Sequence, residues 1–291
     1  MKPAPFVWNG PTSKAEAIAA LAEHGTEAKV LAGGQSLIPM LAMRLAEPRV
    51  LVDINAAAEL SYISVGDDGI RVGALTRHAE LERHAETARI APIIGQGLRN
   101  VAHATIRNRG TTVGSIAHAD PSGEMTSVLA LTDGHVVAAS AGGERTIPWN
   151  EFFAGALESC LEPDELAVEA YFSAMKENEG SAYLEMSRRH GDYAMCGVGA
   201  IVALEDGRIA AARLSFISVT ETPIVVDVTE AAGSGADAVA EAAREAIDPV
   251  GDIHASAEFR THLAGVLAQR AVEQAVEHAK QRRTDGEGET T

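Results

Sequence analysis

Cysteine is nearly absent. The 291 residues hold two, Cys160 and Cys196, far apart, with no C-x-x-C and no Cys/His cluster around either. An iron–sulfur cluster draws on about four thiolates and a structural zinc on about four Cys/His ligands, so the chain supplies neither site on its own. The same shortage excludes a disulfide framework, and so little cysteine without a secretory leader points to a reducing compartment. Basic residues are scarce too. The 24 Lys plus Arg against 41 Asp plus Glu leave a formal net charge of −17, which offers no broad positive field to nucleic-acid phosphates or anionic lipid. No apolar run approaches the roughly 20 residues of a membrane span, and the first residues, MKPAPF, lack the apolar stretch of a signal peptide. What these absences leave is a cytoplasmic globular protein without an integral membrane segment. Its length and its 46% hydrophobic, 22% charged composition suffice for a substantial core and two domains or more.

The pattern along the chain falls into three blocks. Helical spacing runs from Ser13 to His24, capped by Ser13 or Thr12 and stopped by Gly25. A short apolar run, Ala28 to Leu31, leads through Gly33-Gly34 to a helix expected from Ser36 to Leu45. Arg49 to Ile54 then reads as a buried strand, and strand–turn–helix–strand suggests a small α/β unit with parallel strands. From Leu60 the period becomes two, with a hairpin turning at Asp67-Asp68-Gly69. Helices are expected at Arg77 to His84, Ala91 to Ala102 and Met125 to Leu131. Between the last two, Asn108 to Gly123 reads as turn-rich. His135 to Ala139 and Arg145 to Ile147 read as strands, giving an α+β block with a mixed sheet. Beyond about residue 176, Val198 to Leu204 and Arg208 to Ser218 flank the turn Glu205-Asp206-Gly207, and Pro223 to Val228 adds a third strand. Helices near Ala236 to Ala246 and Ala257 to Lys280 cover this three-stranded antiparallel sheet. The polar end, Gln281 to Thr291, reads as disordered.

Chemistry concentrates in two loops. In Lys29 to Ser36 (KVLAGGQS) a strand runs into two glycines and then a helix, so the backbone comes close to a ligand and its free N–H groups form an anion site suited to phosphate. It is neither G-x-G-x-x-G nor a Walker loop, and taken alone Gly-Gly is also ordinary turn material. The second loop, Arg107 to Ser115 (RNRGTTVGS), runs on into His118-Ala119-Asp120-Pro121 and again exposes backbone donors among small residues. Two such cradles suit a ligand with a pyrophosphate. His118 and Asp120 lack a third metal ligand at a recognisable spacing, and the other nine histidines are scattered. Arg107, Arg109, Arg188 and Arg189 are candidates for phosphate, although salt bridges with the many carboxylates account equally for each. Tyr193, beside the Gly191-Asp192 turn, is placed to offer a ring to a flat cofactor or to cap a core. No nucleophile elbow or Ser/His/Asp arrangement is present, so neither a catalytic residue nor a metal ligand is assigned.

Together KVLAGGQSLIPMLAMRLAEPRVLVDI and TIRNRGTTVGSIAHADPSGE, followed by SRRHGDYAMCGVGA and DIHASAEFRTHLAGVLAQRA, resemble the FAD-binding medium subunit of the molybdenum-containing hydroxylases, the group of aerobic carbon monoxide dehydrogenase and bacterial xanthine dehydrogenase. The resemblance spans about residues 1 to 284. It implies an α+β fold of the vanillyl-alcohol-oxidase (PCMH) type. FAD-binding subdomains at 1–57 and 58–176 precede a C-terminal domain at 177–284, which has a three-stranded sheet and helices, and a disordered tail at 285–291. It implies that Lys29, Val30, Leu31, Ala32, Gly33, Gly34, Gln35, Ser36 and Leu37, with Thr111, Thr112, Val113, Gly114 and Ser115, wrap the FAD pyrophosphate. By the same resemblance Glu124 binds the adenosine side, Val101 contacts the cofactor and Tyr193 lies near the isoalloxazine ring. The partners implied are a small iron–sulfur subunit and a large molybdenum-cofactor subunit, as a dimer of heterotrimers. Electrons would pass from the partner's clusters through FAD to NAD+, a quinone or oxygen. One departure is Val113, where much of the family has glycine: a Cβ there restricts φ and leaves open an altered path for the second loop. Two other readings stand beside this one, a stand-alone FAD-dependent oxidoreductase acting on a small substrate and a non-catalytic module that has lost FAD.

Overall fold

The structure, a computed structural model, describes residues 2–288. Strands β1 (Val7–Asn9), β2 (Ala28–Leu31) and β3 (Val50–Asp53), with helices α1 (Lys14–His24) and α2 (Leu37–Met43), make a parallel sheet in the order β1-β3-β2. The local signals explain α1 well. Ser13 accepts a hydrogen bond from the Glu16 N–H, Ala17, Ala20 and Leu21 are buried along one face, and Gly25 turns the chain out at φ +50°. Helix α2 stops two residues short of the expected Leu45, because Arg44 adopts a left-handed conformation and its N–H closes on Met40 and Leu41. β1 carries no periodic signal, being a three-residue edge strand with Val7 and Trp8 exposed.

The second unit runs through β4 (Ile63–Val65), β5 (Gly69–Gly73), α3 (His78–Glu82), α4 (Ala85–Ile90), α5 (Pro92–Leu98), α6 (Ala104–Arg107), α7 (Thr112–His118) and α8 (Glu124–Leu131). It continues with β6 (His135–Ser140), β7 (Gly143–Pro148), α9 (Trp149–Phe152), β8 (Phe153–Gly155), β9 (Glu158–Ser159) and β10 (Leu166–Ser173). Its five-stranded sheet, β4-β5-β10-β6-β7, is antiparallel throughout rather than mixed, since the central β10 pairs antiparallel with both β5 and β6. The helix expected over 91–102 is shorter and is preceded by α4: Pro92 fixes the first turn of α5, which ends at Leu98. The supposed turn-rich segment contains α7, capped by the Thr111 hydroxyl on the Gly114 N–H and anchored by buried Val113 and Ile116. These first two units share one apolar core.

A second core lies beneath β11 (Glu179–Met186), β12 (Cys196–Glu205), β13 (Arg208–Ile217) and β14 (Val225–Asp227), with α10 (Thr229–Ser234), α11 (Ala236–Glu245) and α12 (Ala257–Gly288). The sheet therefore has four strands, β11-β12-β13-β14, and the three-strand expectation missed β11. Gly180, Ser181 and Ala182 in the first half of β11 are small because α12 lies directly on this strand: a Cβ on Gly180 would come 2.2 Å from both the Ala275 oxygen and the Ala279 nitrogen. Helix α12 continues to Gly288 through most of the stretch read as disordered, and 289–291 lie outside the described residues. The fold class is α+β, as expected, and no helix among the described residues is long and apolar enough to cross a membrane.

Candidate functional site

The first loop leaves β2 at Leu31 and turns at Gly34, whose φ of +72° is a conformation that glycine accepts without a Cβ clash. Gln35 folds back, its Nε2 donating to the Gly33 oxygen at 3.0 Å. The backbone N–H groups of Gly33, Gly34, Gln35, Ser36 and Leu37 have no backbone acceptor among the described residues, so five donors stand free in one short arc. Lys29 and Val30 lie earlier, within β2, Lys29 exposed.

The second loop reaches this arc from a distant part of the sequence. A Cβ on Gly33 would stand 2.6 Å from the Arg109 oxygen and 2.7 Å from Gly110 Cα, and one on Gly114 would stand 3.9 Å from Ala32 Cβ. The two loops thus meet backbone to backbone. Two residues that the sequence reading passed over lock them together. Asn55 donates through Nδ2 to the Ala32 oxygen at 2.8 Å and accepts from Arg77 Nη2 at 2.7 Å, while Arg77 Nη1 donates to the Arg109 oxygen at 2.6 Å. A lone Asn after a strand and a lone Arg at the start of a helix carry no pattern, so nothing local in the sequence marks them as site residues.

Val113 sits in the first turn of α7 with its side chain 1% exposed in the core, and its φ is not positive. Its Cβ therefore points away from the cradle, and the restriction on φ costs the loop nothing. Thr112 accepts support from below: its N–H donates to the Thr76 oxygen at 3.2 Å, and its hydroxyl lies 3.1 Å from Nδ1 of the buried His78. Burial, together with the nearby Arg107, pushes the His78 pKa down to about 4 from its ordinary 6.5. An unfolded chain takes up a proton at this histidine below pH 6.5, whereas the folded chain resists until about pH 4. The stability contribution is therefore complete above pH 6.5 and is lost as pH falls toward 4, by up to ~3 kcal/mol. Thermal melts of a His78→Asn variant are expected to lose less Tm than the parent between pH 6.5 and 4.5. Parallel losses in the two proteins would refute the assignment.

From Thr112 to His118, α7 rises about 10 Å and delivers the chain to the seam with the C-terminal sheet. There Glu124 opens α8, and its carboxyl is raised to about 7, first by burial and then by Asp120. Glu185 of β11, also passed over in the sequence, is raised to about 9 by burial and by Glu124. Its Oε1 is shut off from solvent without a hydrogen-bond partner among the described residues. Tyr183 beside it is fixed by a 2.8 Å hydrogen bond with Ser127. At the rim Tyr193 is 70% exposed, and its hydroxyl is raised to about 12 by local desolvation and the Asp120 carboxylate. Gly191, at φ +87°, packs against His103 and the Ala102 oxygen, which brings the Tyr193 loop onto the segment holding buried Val101. Of the other candidates, Arg107 is tied to Glu82 at 2.8 Å and to the Val101 oxygen, a structural role, while Arg188 and Arg189 are exposed.

The candidate site thus has a backbone donor cradle at one end and, reached through α7, a carboxyl- and tyrosine-bearing seam at the other. Free N–H groups suit a pyrophosphate, and an unpartnered buried carboxyl oxygen suits a polar group arriving between the units, so these residues fit FAD. The family described as the FAD binding domain in molybdopterin dehydrogenase matches residues 4–172, and that described as the CO dehydrogenase flavoprotein C-terminal domain matches 181–275. The chain is 38% identical to the 6-hydroxypseudooxynicotine dehydrogenase complex subunit alpha of Paenarthrobacter nicotinovorans, covering 96% of this chain and 97% of that one. It is 36% identical to the caffeine dehydrogenase subunit beta of Pseudomonas sp. strain CBB1, covering 95% and 97%. Among solved structures, carbon monoxide dehydrogenase from Hydrogenophaga pseudoflava superimposes with a TM-score of 0.89 at 32% identity, over 96% of this chain and 99% of that one.

Proposed function

We infer, because this chain belongs to the family of FAD-binding medium subunits of the molybdenum hydroxylases, that it is the flavoprotein subunit of such a complex and holds FAD along the loop junction and the seam beside Glu124. The observation that carries this reading is the backbone-to-backbone meeting of Gly33 with Arg109 and Gly110, which leaves the first loop's N–H groups free beside the second loop.

The residues proposed to hold the cofactor are Lys29 to Leu37, Val101, Thr111 to Ser115, Glu124 and Tyr193. The N–H groups of the first loop bind phosphate oxygens, and Asn55 and Arg77 keep that loop from opening. Thr112, braced by His78, holds the start of α7 against the pyrophosphate. Glu124, Val101 and Tyr193 would line the rest of the site, with Tyr193 at its exposed rim. When bound, FAD supplies the redox chemistry, taking electrons singly and passing them on in pairs between the partner's clusters and an external acceptor.

The proposed partners are a small iron–sulfur subunit and a large molybdenum subunit, assembled as a dimer of heterotrimers. Both cysteines are free thiols, which supports a cytoplasmic setting and leaves cluster ligation to another chain. We divide the chain at 57/58 and 176/177, which separates the three larger sheets from one another. Purified from its own cells, the protein is expected to be yellow, to carry one FAD per chain, and to bring with it two further polypeptides and an iron–sulfur absorption envelope. A chain that arrives without flavin, binds no added FAD and leaves FAD fluorescence unquenched would overturn the proposal.

A further inference from the structure

The segment Asp252 to Arg260, the start of the last sequence motif, has no role in the site as described so far, yet it ends on a buried guanidinium. Arg260, in the first turn of α12, is 6% exposed. Its Nη1 donates to the Met195 oxygen at 2.9 Å and to the Ser218 oxygen at 2.5 Å, and its Nη2 donates to Asp252 Oδ2 at 2.7 Å. Asp252 is itself held by its Oδ1, which accepts from the N–H groups of His254 and Ala255 at 2.8 and 3.0 Å. Three segments distant in sequence therefore converge on one side chain.

Two of those segments adjoin the proposed flavin site. Met195 is two residues from Tyr193 and closes the loop that carries it, its N–H bonded to the Met186 oxygen at 2.8 Å. Ser218, at the end of β13, donates its N–H to the Pro121 oxygen and its hydroxyl to Ser122 Oγ, each at 2.8 Å. The Pro121-Ser122 turn leads directly into Glu124. A planar guanidinium with fixed donors sets the relative position of two carbonyls far more tightly than apolar packing does. Burying it with no role would be costly, since its Nε has no hydrogen-bond partner among the described residues.

We propose that Arg260, aligned by Asp252, is a positioning residue for the flavin site: it holds the Tyr193 loop and the turn before Glu124 in the register that receives FAD. This rests on the FAD reading above. Arg260 touches neither Tyr193 nor Glu124 and acts through the main chain at Met195 and Ser218. The motif at 252–260 thereby has a physical task, which is to build the rim of the site from the far side of the C-terminal domain.

The test is FAD titration by fluorescence quenching, on full-length protein purified with whatever chains accompany it and then deflavinated. Asp252, half exposed, is the gentle probe, because Asp252→Asn leaves the fold intact while releasing the guanidinium. We expect Asp252→Asn to weaken FAD binding by about threefold and Arg260→Gln by about tenfold, the effect of losing one or two aligned hydrogen bonds. Arg260→Lys, which retains one donor contact, should fall between Arg260→Gln and the parent. The decisive reading is a double-mutant cycle: in a Tyr193→Ala background, Asp252→Asn should weaken affinity clearly less than it does in the parent, the remainder passing through the turn before Glu124. If the two substitutions multiply independently, or if Asp252→Asn binds FAD like the parent, Arg260 is structural only and the inference fails. A parent protein that binds no FAD would instead overturn the function proposed above.

Discussion

Replacing Gly33 with alanine is expected to weaken FAD binding by roughly 30-fold to 100-fold. The added methyl would stand 2.6 Å from the Arg109 oxygen and 2.7 Å from Gly110 Cα, and both are backbone atoms that cannot turn aside. Relieving the clash means parting the two loops, at an overpacking cost of about 2–3 kcal/mol, and the first loop's free N–H groups then move away from the second loop. Gly34→Ala provides the contrast. Its Cβ would meet only side-chain atoms, Ile38 Cγ1 and Leu31 Cδ1, at 3.1 Å and no backbone, so the main cost is the left-handed conformation, about 1 kcal/mol. Fluorescence titration of both variants should rank Gly33→Ala as clearly the more damaging. Equal affinities for the parent and Gly33→Ala would mean that the loop junction does not form the cofactor site.

The second large effect concerns stability. Gly180→Ala is expected to cost about 3 kcal/mol or more and to lower Tm by roughly 5–10 °C. The methyl would land 2.2 Å from the Ala275 oxygen and the Ala279 nitrogen and 2.7 Å from Ala279 Cα. Here a strand lies on a helix with no side chain between them, and only a shift of β11 off α12 makes room. That shift would carry Tyr183 and Glu185 with it, so the seam beside Glu124 should loosen as well. Calorimetry settles the point: a Tm within about a degree of the parent would show that the close approach is not made.

The elements visible in the sequence are those whose signals are local. The caps of α1, the Gly-Gly turn after β2 and the hairpins at Asp67-Asp68-Gly69 and Glu205-Asp206-Gly207 each depend on a few adjacent residues, and each lies where it was expected. Strand β10 is different. Leu166 to Ser173 is central to its sheet, but it makes its hydrogen bonds to residues about 100 and 30 positions earlier, and no turn joins it to either neighbour. Strand β11 was hidden by its small residues, whose reason for being small is α12, almost 100 residues away. Val113 illustrates the same limit at a single position. A one-dimensional comparison with glycine suggests an obstructed loop, whereas the helix that begins at Thr112 turns the valine into the core.

The sequence by itself determined the chain's two glycine-bearing loops, its shortage of cysteine, and its kinship, because these follow from composition and from contiguous residues. Tertiary structure alone decided that the two loops form one cradle, that Asn55 and Arg77 lock it, that Glu185 stands beside Glu124, and that Arg260 reaches the rim from the last helix. The physical reason is the range of the interactions. A cap or a tight turn is satisfied within a few residues, whereas a backbone-to-backbone contact or a buried guanidinium finds its partners only after the sheets have been assembled.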